Sequence, residues 1–222
     1  MSQCVHPGDI KRKIHESQSR LWENCIGRSK PFWDNNYALL KEKFPIQFND
    51  VTLGRFYKAI NSVQPSLIRT EADELTYHFH IMIRYEIEKL LIEGTIVAKN
   101  IPSYWNQKYS QYLGIKPIDD VSGCLQDVHW SHGSFGYFAT YSLGSIYAAQ
   151  FNTTFKNQKS SLEGQQNNAD VEQLLTWLQS NIFALGRYYN AEDLCKKATG
   201  SNLDARFFLN YATEKYNQLY DL

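Results

Sequence analysis

The segment from Gly123 to Tyr141 is rich in side chains capable of proton transfer or hydrogen bonding. Its nineteen residues include Gln126, Asp127, His129, Trp130, His132, Tyr137 and Tyr141. Its three glycines predict a loop, and the apolar run that follows predicts a helix. Polar groups gathered where a loop meets a helix are a common way to build a site. A buried aromatic corner with two hydrogen-bonded histidines would fit the same residues.

Within this segment, a carboxylate and an imidazole stand two residues apart, at Asp127 and His129. Side chains two apart in an extended segment point to the same side. A carboxylate that orients an imidazole recurs in acid–base sites and around metal ions. His129 and His132 are three apart and could share a face, but Gly133 leaves their geometry open.

An arginine and a carboxylate four residues apart, Arg69 and Asp73, stand at the predicted start of a long helix. An i,i+4 pair can hold the guanidinium rigid. A rigid guanidinium is a natural clamp for a carboxylate or a phosphate. The alternative is a surface ion pair that contributes little to stability.

A third candidate is the pair His15–Glu16 in the first predicted helix. Adjacent helical residues point about 100° apart, so the two can serve one site only in different roles, such as ligand and orienter. Ser19 occupies the position where an HExxH motif would need its second histidine, so that zinc grip is absent here. The alternative is a solvated face of an amphipathic helix.

Two further histidines, His78 and His80, are two residues apart and face nearly opposite ways on a helix. We therefore predict that one is exposed and the other is buried. A self-contained metal site formed by His78, His129 and His132 is a further alternative.

Composition excludes several classes of protein. The 222 residues are 43% hydrophobic, enough for a sizeable core, and 23 basic residues balance 23 acidic ones. No basic block stands out, which argues against binding of nucleic acid. No run of eighteen apolar residues predicts a membrane span, and the first fourteen residues lack the apolar centre of a secretory signal. The four scattered cysteines are typical of reduced thiols, so we predict a cytoplasmic protein.

The spacing of apolar residues predicts an all-α, multi-helical fold throughout. The predicted helices are 14–26 ended by Gly27, 31–44, 51–63 capped by Asp50, 69–93 ended by Gly94, 103–113, 137–155, 171–185 ended by Gly186, 191–198 and 204–220. Residues 114–134 are predicted to be loop, and 156–169 an exposed connection. No internal linker predicts a domain boundary, so we expect residues 1–222 to belong to a single helical domain.

Three stretches together resemble motifs of the Taq-type thermostable metallocarboxypeptidases, a family of zinc exopeptidases. His15-Glu16-Ser17-Gln18 matches HES(G)Q, Ile68 to Asp73 matches IRxxAD, and Gly123 to Trp130 matches GxxQDxHW. The segments HIMIRYEIEKLLIEG and GYFATY are also similar to the family, although Ala139 replaces its usual proline. The likeness covers roughly residues 14–220.

The resemblance implies an all-helical, groove-bearing hydrolase that removes single residues from peptide C-termini. It implies that Glu16 is the third protein ligand of a zinc ion and that Arg69 binds the substrate carboxylate. Asp73, Gln126 and Asp127 would line the substrate groove. His129, Tyr137 and Tyr141 would be catalytic, with either tyrosine donating to the developing oxyanion; the sequence does not rank the two.

The family takes its first two zinc ligands and its general base from an HExxH helix upstream of HESQ, and this helix is absent here. Fourteen residues precede His15 and contain one histidine, His6. The sequence therefore predicts an incomplete C-terminal part of the fold that is inactive alone. Its expected partners are peptides with a free C-terminus, the N-terminal half of the enzyme, and a second copy in a homodimer. The alternative is a non-catalytic fragment or a helical peptide-binding remnant.

Overall fold

The computed structural model describes residues 7–160 and 169–222. Within these ranges the chain forms ten α-helices and no β-strand, which confirms the predicted all-α class. They are α1 (Pro7–Arg20), α2 (Lys30–Lys43), α3 (Pro45–Phe48), α4 (Leu53–Ile60), α5 (Thr76–Ile92), α6 (Ile101–Leu113), α7 (Ala139–Ser160), α8 (Ala169–Asn181), α9 (Ala191–Thr199) and α10 (Arg206–Tyr220). A π-helix, Leu21–Gly27, continues α1 to the glycine predicted to end it. None of the described helices is long and apolar enough to cross a bilayer.

Several helix ends follow local capping signals. The Ser29 hydroxyl accepts the Phe32 N–H and Pro31 occupies the first turn of α2, as a helix start requires. The start of α4 differs from the prediction, since Thr52 and not Asp50 provides the capping oxygen, which accepts the Arg55 N–H. The connection predicted over 156–169 is helical up to Ser160, and 161–168 lie outside the described residues.

The long helix begins later than predicted. The expected start was Arg69, whereas α5 begins at Thr76 and Arg69 lies in a separate 3₁₀ turn. Asp73 explains the difference, because its carboxylate accepts the backbone N–H groups of Leu75 and Thr76, each at 2.9 Å. An Asp side chain satisfies the free N–H groups of a helix start better than it continues a helix.

The described residues fall into two compact units, and the first is Ser62–Ser142. Here α5 packs against α6 around one apolar cluster: Ile83, Ile87, Ile96, Trp105, Tyr109 and Leu113. A smaller cluster of Tyr77, Ile81 and Phe138 joins the first turns of α5 to the residues that precede α7. This unit contains the whole Gly123–Tyr141 segment.

The second unit contains the described residues of 7–61 and of Leu143–Leu222. Its core is an apolar cluster that includes Leu21, Cys25, Tyr147, Phe151, Leu174, Leu178, Leu194 and Cys195. Cys25 and Cys195 are both buried in this cluster. This unit contains Glu16. The prediction of a single domain stays a prediction.

Gly144 in α7 lies unusually close to Glu16 in α1. A Cβ atom at Gly144 would lie 2.9 Å from Glu16 Cγ and 3.1 Å from its carbonyl carbon. We therefore expect Gly144→Ala to lower the free energy of unfolding by about 1–3 kcal/mol, the usual cost of overpacking. This reverses the usual gain of about 1 kcal/mol from Gly to Ala in a helix. Urea unfolding followed by circular dichroism measures the effect.

Gly54 in α4 provides the matched control, because a Cβ atom there would meet nothing within 4 Å. Gly54→Ala should leave the urea midpoint unchanged or raise it. If Gly144→Ala behaves in the same way as Gly54→Ala, the close packing of α7 on Glu16 is contradicted.

Candidate functional site

Arg69 is a buried guanidinium held by residues far away in the sequence. Its Nε and Nη2 donate to Asp127 Oδ1 at 2.9 and 2.7 Å, and its Nη1 donates to Tyr77 Oη at 3.0 Å. The expected pairing with Asp73 is therefore wrong; the carboxylate partner is Asp127, 58 residues further on. A guanidinium has five N–H groups, so two of those of Arg69 remain for a ligand.

The Asp127 carboxylate bridges two arginines. Its Oδ1 accepts from Arg69, and its Oδ2 accepts from Arg84 Nε at 2.5 Å. Burial alone would raise the pKa of Asp127, but the positive charges of Arg84 and Arg69 and their hydrogen bonds hold it below its usual range. Burial alone would lower the pKa of Arg69, and the hydrogen bond and charge of Asp127 raise it. Asp127 and Arg69 therefore both stay charged at neutral pH.

Arg84 is the functional candidate that the sequence analysis missed. It is fully buried in α5, and its Nη1 donates to the His80 carbonyl at 2.8 Å. Its guanidinium carbon lies 4.5 Å from the Trp105 ring centroid, within the range of a cation–π contact. A signal was present in the sequence: Arg84 stands four residues after His80 and three before Ile87, in register with the buried face of α5.

Gln126 links the two arginines through its amide. Its Oε1 accepts the backbone N–H of Arg69 and the Nη2–H of Arg84, both at 2.9 Å. Its Nε2 donates to the carbonyl oxygens of Leu67 and Gly123 at 3.0 Å. Gln126 and Asp127 were predicted for one substrate site with Arg69, and the structure brings all three together through direct hydrogen bonds.

His129 lies beside this cluster and makes its hydrogen bond with Tyr141. The distance from His129 Nε2 to Tyr141 Oη is 3.1 Å, whereas Nδ1 lies 3.8 Å from Asp127 Oδ1, beyond hydrogen-bond distance. The expected carboxylate–imidazole hydrogen bond is therefore not formed. Burial lowers the pKa of His129 more than the Asp127 carboxylate raises it, so the imidazole is neutral at neutral pH.

The two tyrosines predicted to be catalytic lie next to His129. The Tyr137 ring centroid lies 5.3 Å from that of His129 and 5.2 Å from that of Tyr141. Burial raises the pKa of Tyr141 well above its usual value, so its phenol stays protonated and can donate a hydrogen bond. Glu88 of α5 accepts the Gly136 N–H and so ties the loop to α5 just before these tyrosines.

The remaining predicted residues of this unit have structural contacts. Asp73 also accepts the Thr76 hydroxyl at 2.6 Å and the Gln64 N–H at 3.1 Å, so its carboxylate is occupied at the start of α5. The structure shows a helix-capping role for Asp73, and its predicted role in substrate binding stays a prediction. His80 is fully buried and its pKa is lowered to about 3 by burial and the charge of Arg84, whereas His78 is half-buried against Ser142. The prediction of one buried histidine is confirmed at His80, whereas the expected exposed histidine, His78, is half-buried.

In the second unit, Glu16 packs on α7 at Gly144. Its Oε1 lies 3.6 Å from Arg20 Nε and accepts the Ser19 hydroxyl at 3.3 Å. The side chain is 19% exposed. A carboxylate with weak, partly exposed partners can accept a metal ion without losing strong hydrogen bonds, unlike Asp127.

The sequence profile of the "Carboxypeptidase Taq (M32) metallopeptidase" family matches residues 6–216. The chain belongs to this family of metal-dependent carboxypeptidases. The chain is 44% identical over 207 residues to carboxypeptidase 1 of Bacillus subtilis (strain 168), and 42% identical over 209 residues to thermostable carboxypeptidase 1 of Pyrococcus furiosus. It superposes on the crystal structure of an M32 carboxypeptidase from Deinococcus radiodurans R1 with a TM-score of 0.90 and 39% identity.

These matches cover nearly all of this chain but less than half of each relative. The Bacillus match covers 93% of this chain and 41% of the relative. The Pyrococcus match covers 94% of this chain and 42% of the relative. The Deinococcus structure is matched over 95% of this chain and 43% of that chain. The chain therefore spans about two fifths of the length of the M32 carboxypeptidases that it matches.

The metal ion of an M32 enzyme needs more ligands than the described residues bring together. Glu16 is one suitable carboxylate, but no group of three His, Cys, Asp or Glu side chains within 7–160 and 169–222 could hold a metal ion. The described part of this chain does not fit a complete metal site. The alternative of a self-contained site at His78, His129 and His132 is wrong, since those three residues form no such group.

Proposed function

We propose that this chain supplies the substrate-carboxylate site and one zinc ligand of an M32 carboxypeptidase. The observation that carries the proposal is the pair of N–H groups left on Arg69 after Asp127 and Tyr77 have bound the other three. A fixed guanidinium with two available donors suits the terminal carboxylate of a peptide. The substrate class is therefore a peptide with a free C-terminus.

The neighbouring residues have distinct roles in this proposal. Asp127 and Gln126 hold Arg69 in place. His129, neutral at neutral pH, handles a proton near the scissile bond, and Tyr137 or Tyr141 donates to the developing oxyanion. The phenol of Tyr141 keeps its proton and is hydrogen-bonded to His129. These two properties favour Tyr141 over Tyr137 as the donor to the oxyanion.

Glu16 is the proposed zinc ligand of this chain. The HExxH histidines that complete the family's site are absent from this sequence. We propose that the 222-residue chain hydrolyses no peptide at a useful rate alone and that it acts with an HExxH-bearing segment. The alternative is a remnant that binds peptides but does not hydrolyse them. It is favoured by the absence, among the described residues, of three side chains that could together hold a metal ion.

Reconstitution tests this proposal. The chain is mixed with the segment of the Bacillus subtilis relative that it does not match, with zinc and an N-acetylated tetrapeptide bearing a free C-terminus. We expect amino-acid release from the mixture, abolished by a chelator, and none from either part alone. Glu16→Gln should abolish release, whereas Glu42→Gln, a change at an exposed glutamate of α2, should not.

Two results would count against the proposal. Chelator-sensitive release by the chain alone would show that its metal site is complete. A stable complex of the two parts that releases nothing would favour the peptide-binding alternative.

A further inference from the structure

Arg84 carries a full charge at a position with no exposed surface, and it shares two acceptors with Arg69. Each oxygen of Asp127 serves one arginine: Oδ1 accepts from Arg69 and Oδ2 from Arg84. The Gln126 Oε1 is shared as well, between the Arg69 backbone N–H and Arg84 Nη2. Burying a second guanidinium is costly unless it is fully paired, so its position calls for an explanation beyond packing.

This sharing restrains Arg69 at both its side chain and its backbone. Rotation of the Asp127 carboxylate about its Cβ–Cγ bond would break the Arg84 bond at Oδ2, so Arg84 opposes that rotation. Displacement of the Gln126 amide would likewise break a bond to Arg84. Arg84 is itself fixed by the His80 carbonyl at 2.8 Å, the Tyr109 hydroxyl at 3.3 Å and the Trp105 ring.

We propose that Arg84 is a positioning residue for Arg69: by holding Asp127 and Gln126, it aims the two available N–H groups of Arg69 at the terminal carboxylate of a bound peptide. The inference rests on the proposed function of Arg69 and adds a residue to it. Arg84 is not a contact of the peptide, because it is fully buried and its donors point at protein acceptors.

The substitution Arg84→Lys distinguishes the positioning of Arg69 from the balancing of the Asp127 charge. An ammonium keeps the positive charge that balances Asp127, but it is a single point donor on a flexible stem and cannot reproduce the planar fork of arginine. It should therefore hold Asp127 or Gln126 but not both. Arg84→Lys should loosen Arg69 without removing charge.

The experiment measures the affinity of the 222-residue chain for an N-acetylated tetrapeptide with a free C-terminus and for its C-terminal amide, by titration calorimetry. The readout is the ratio of the two dissociation constants, which a general loss of stability does not change. In wild type we expect the free acid to bind at least tenfold more tightly. Arg84→Lys should reduce that ratio at least fivefold with the amide affinity unchanged.

Tyr112→Phe is the matched control. The Tyr112 hydroxyl of α6 donates to Glu86 of α5 at 2.7 Å. The substitution therefore removes a hydrogen bond between the same two helices, but one that does not involve Asp127. Its ratio should equal that of wild type. Circular dichroism verifies that each variant is folded. If Arg84→Lys does not fold, Tyr109→Phe replaces it. This change removes one hydrogen bond of Arg84, together with the bonds of the same hydroxyl to His80 and the Leu67 carbonyl. The ratio should then fall two- to threefold.

The outcomes separate this inference from the proposed function. A wild-type ratio near one contradicts the carboxylate site at Arg69 and, with it, the role of Arg84. A wild-type ratio above ten that a folded Arg84→Lys or Tyr109→Phe variant retains contradicts the role of Arg84 alone.

Discussion

Asp127→Ala unfolds the unit Ser62–Ser142 under conditions in which the wild-type chain is folded. The substitution leaves Arg84, fully buried, and Arg69, 7% exposed, without their shared carboxylate. Removing one partner of a buried ion pair costs about 3–5 kcal/mol because the remaining charge stays buried. This cost is a large fraction of the stability of a typical domain, about 5–15 kcal/mol. Urea unfolding monitored by circular dichroism measures the loss.

Asp119→Ala is the control in the same loop. The Asp119 side chain is exposed and accepts the Ser122 N–H at 2.7 Å, so its removal should shift the urea midpoint only slightly. Equal midpoints for Asp127→Ala and Asp119→Ala would show that the buried carboxylate does not stabilise this unit.

The same carboxylate makes stability depend on pH in a definite direction. The pKa of Asp127 is lower in the folded chain than its usual value, which is about 3.9 in an unfolded chain. Its contribution is therefore complete above pH ~4 and is lost as the pH falls through the lower, folded-state pKa. The stability difference between wild type and Asp127→Asn should be constant above pH ~5 and shrink below pH ~4.

Arg69→Met selectively weakens the binding of peptides that carry a free C-terminus. A hydrogen bond to a charged group contributes about 1.5–3 kcal/mol, and about 1.4 kcal/mol corresponds to a tenfold change in affinity. Loss of the two available N–H groups should therefore weaken binding of the free acid about 10- to 100-fold. The C-terminal amide should bind equally well to both proteins. Titration calorimetry with the two tetrapeptides measures both constants.

Lys116→Met is the matched control, because it removes an exposed cation from the same unit. It should change neither constant beyond a small, salt-dependent effect on the free acid. If Arg69→Met weakens the amide as much as the acid, the guanidinium does not recognise the carboxylate, and its role is confined to holding Asp127.

The sequence by itself determined the helical class, most helix ends and the residue types of the candidate site. These depend on interactions within a few residues: the spacing of apolar positions, the Ser29 and Pro31 start of α2, and the glycine that ends the first helical segment. The motif residues Gln126, Asp127 and His129 were also recognisable, since their types and order resemble those of a known family.

Only the tertiary structure decided which of these side chains meet. Arg69 and Asp73 are four residues apart and were expected to pair, but Asp73 accepts the free N–H groups at the start of α5. Arg69 instead donates to Asp127, 58 residues away. The sequence did not predict the burial of Arg84, because a charged residue in a helix is usually solvated. Its burial depends on α6 and on the loop that carries Asp127. Local hydrogen bonds are specified by nearby residues, whereas the partner of a buried charge is set by how separate elements pack.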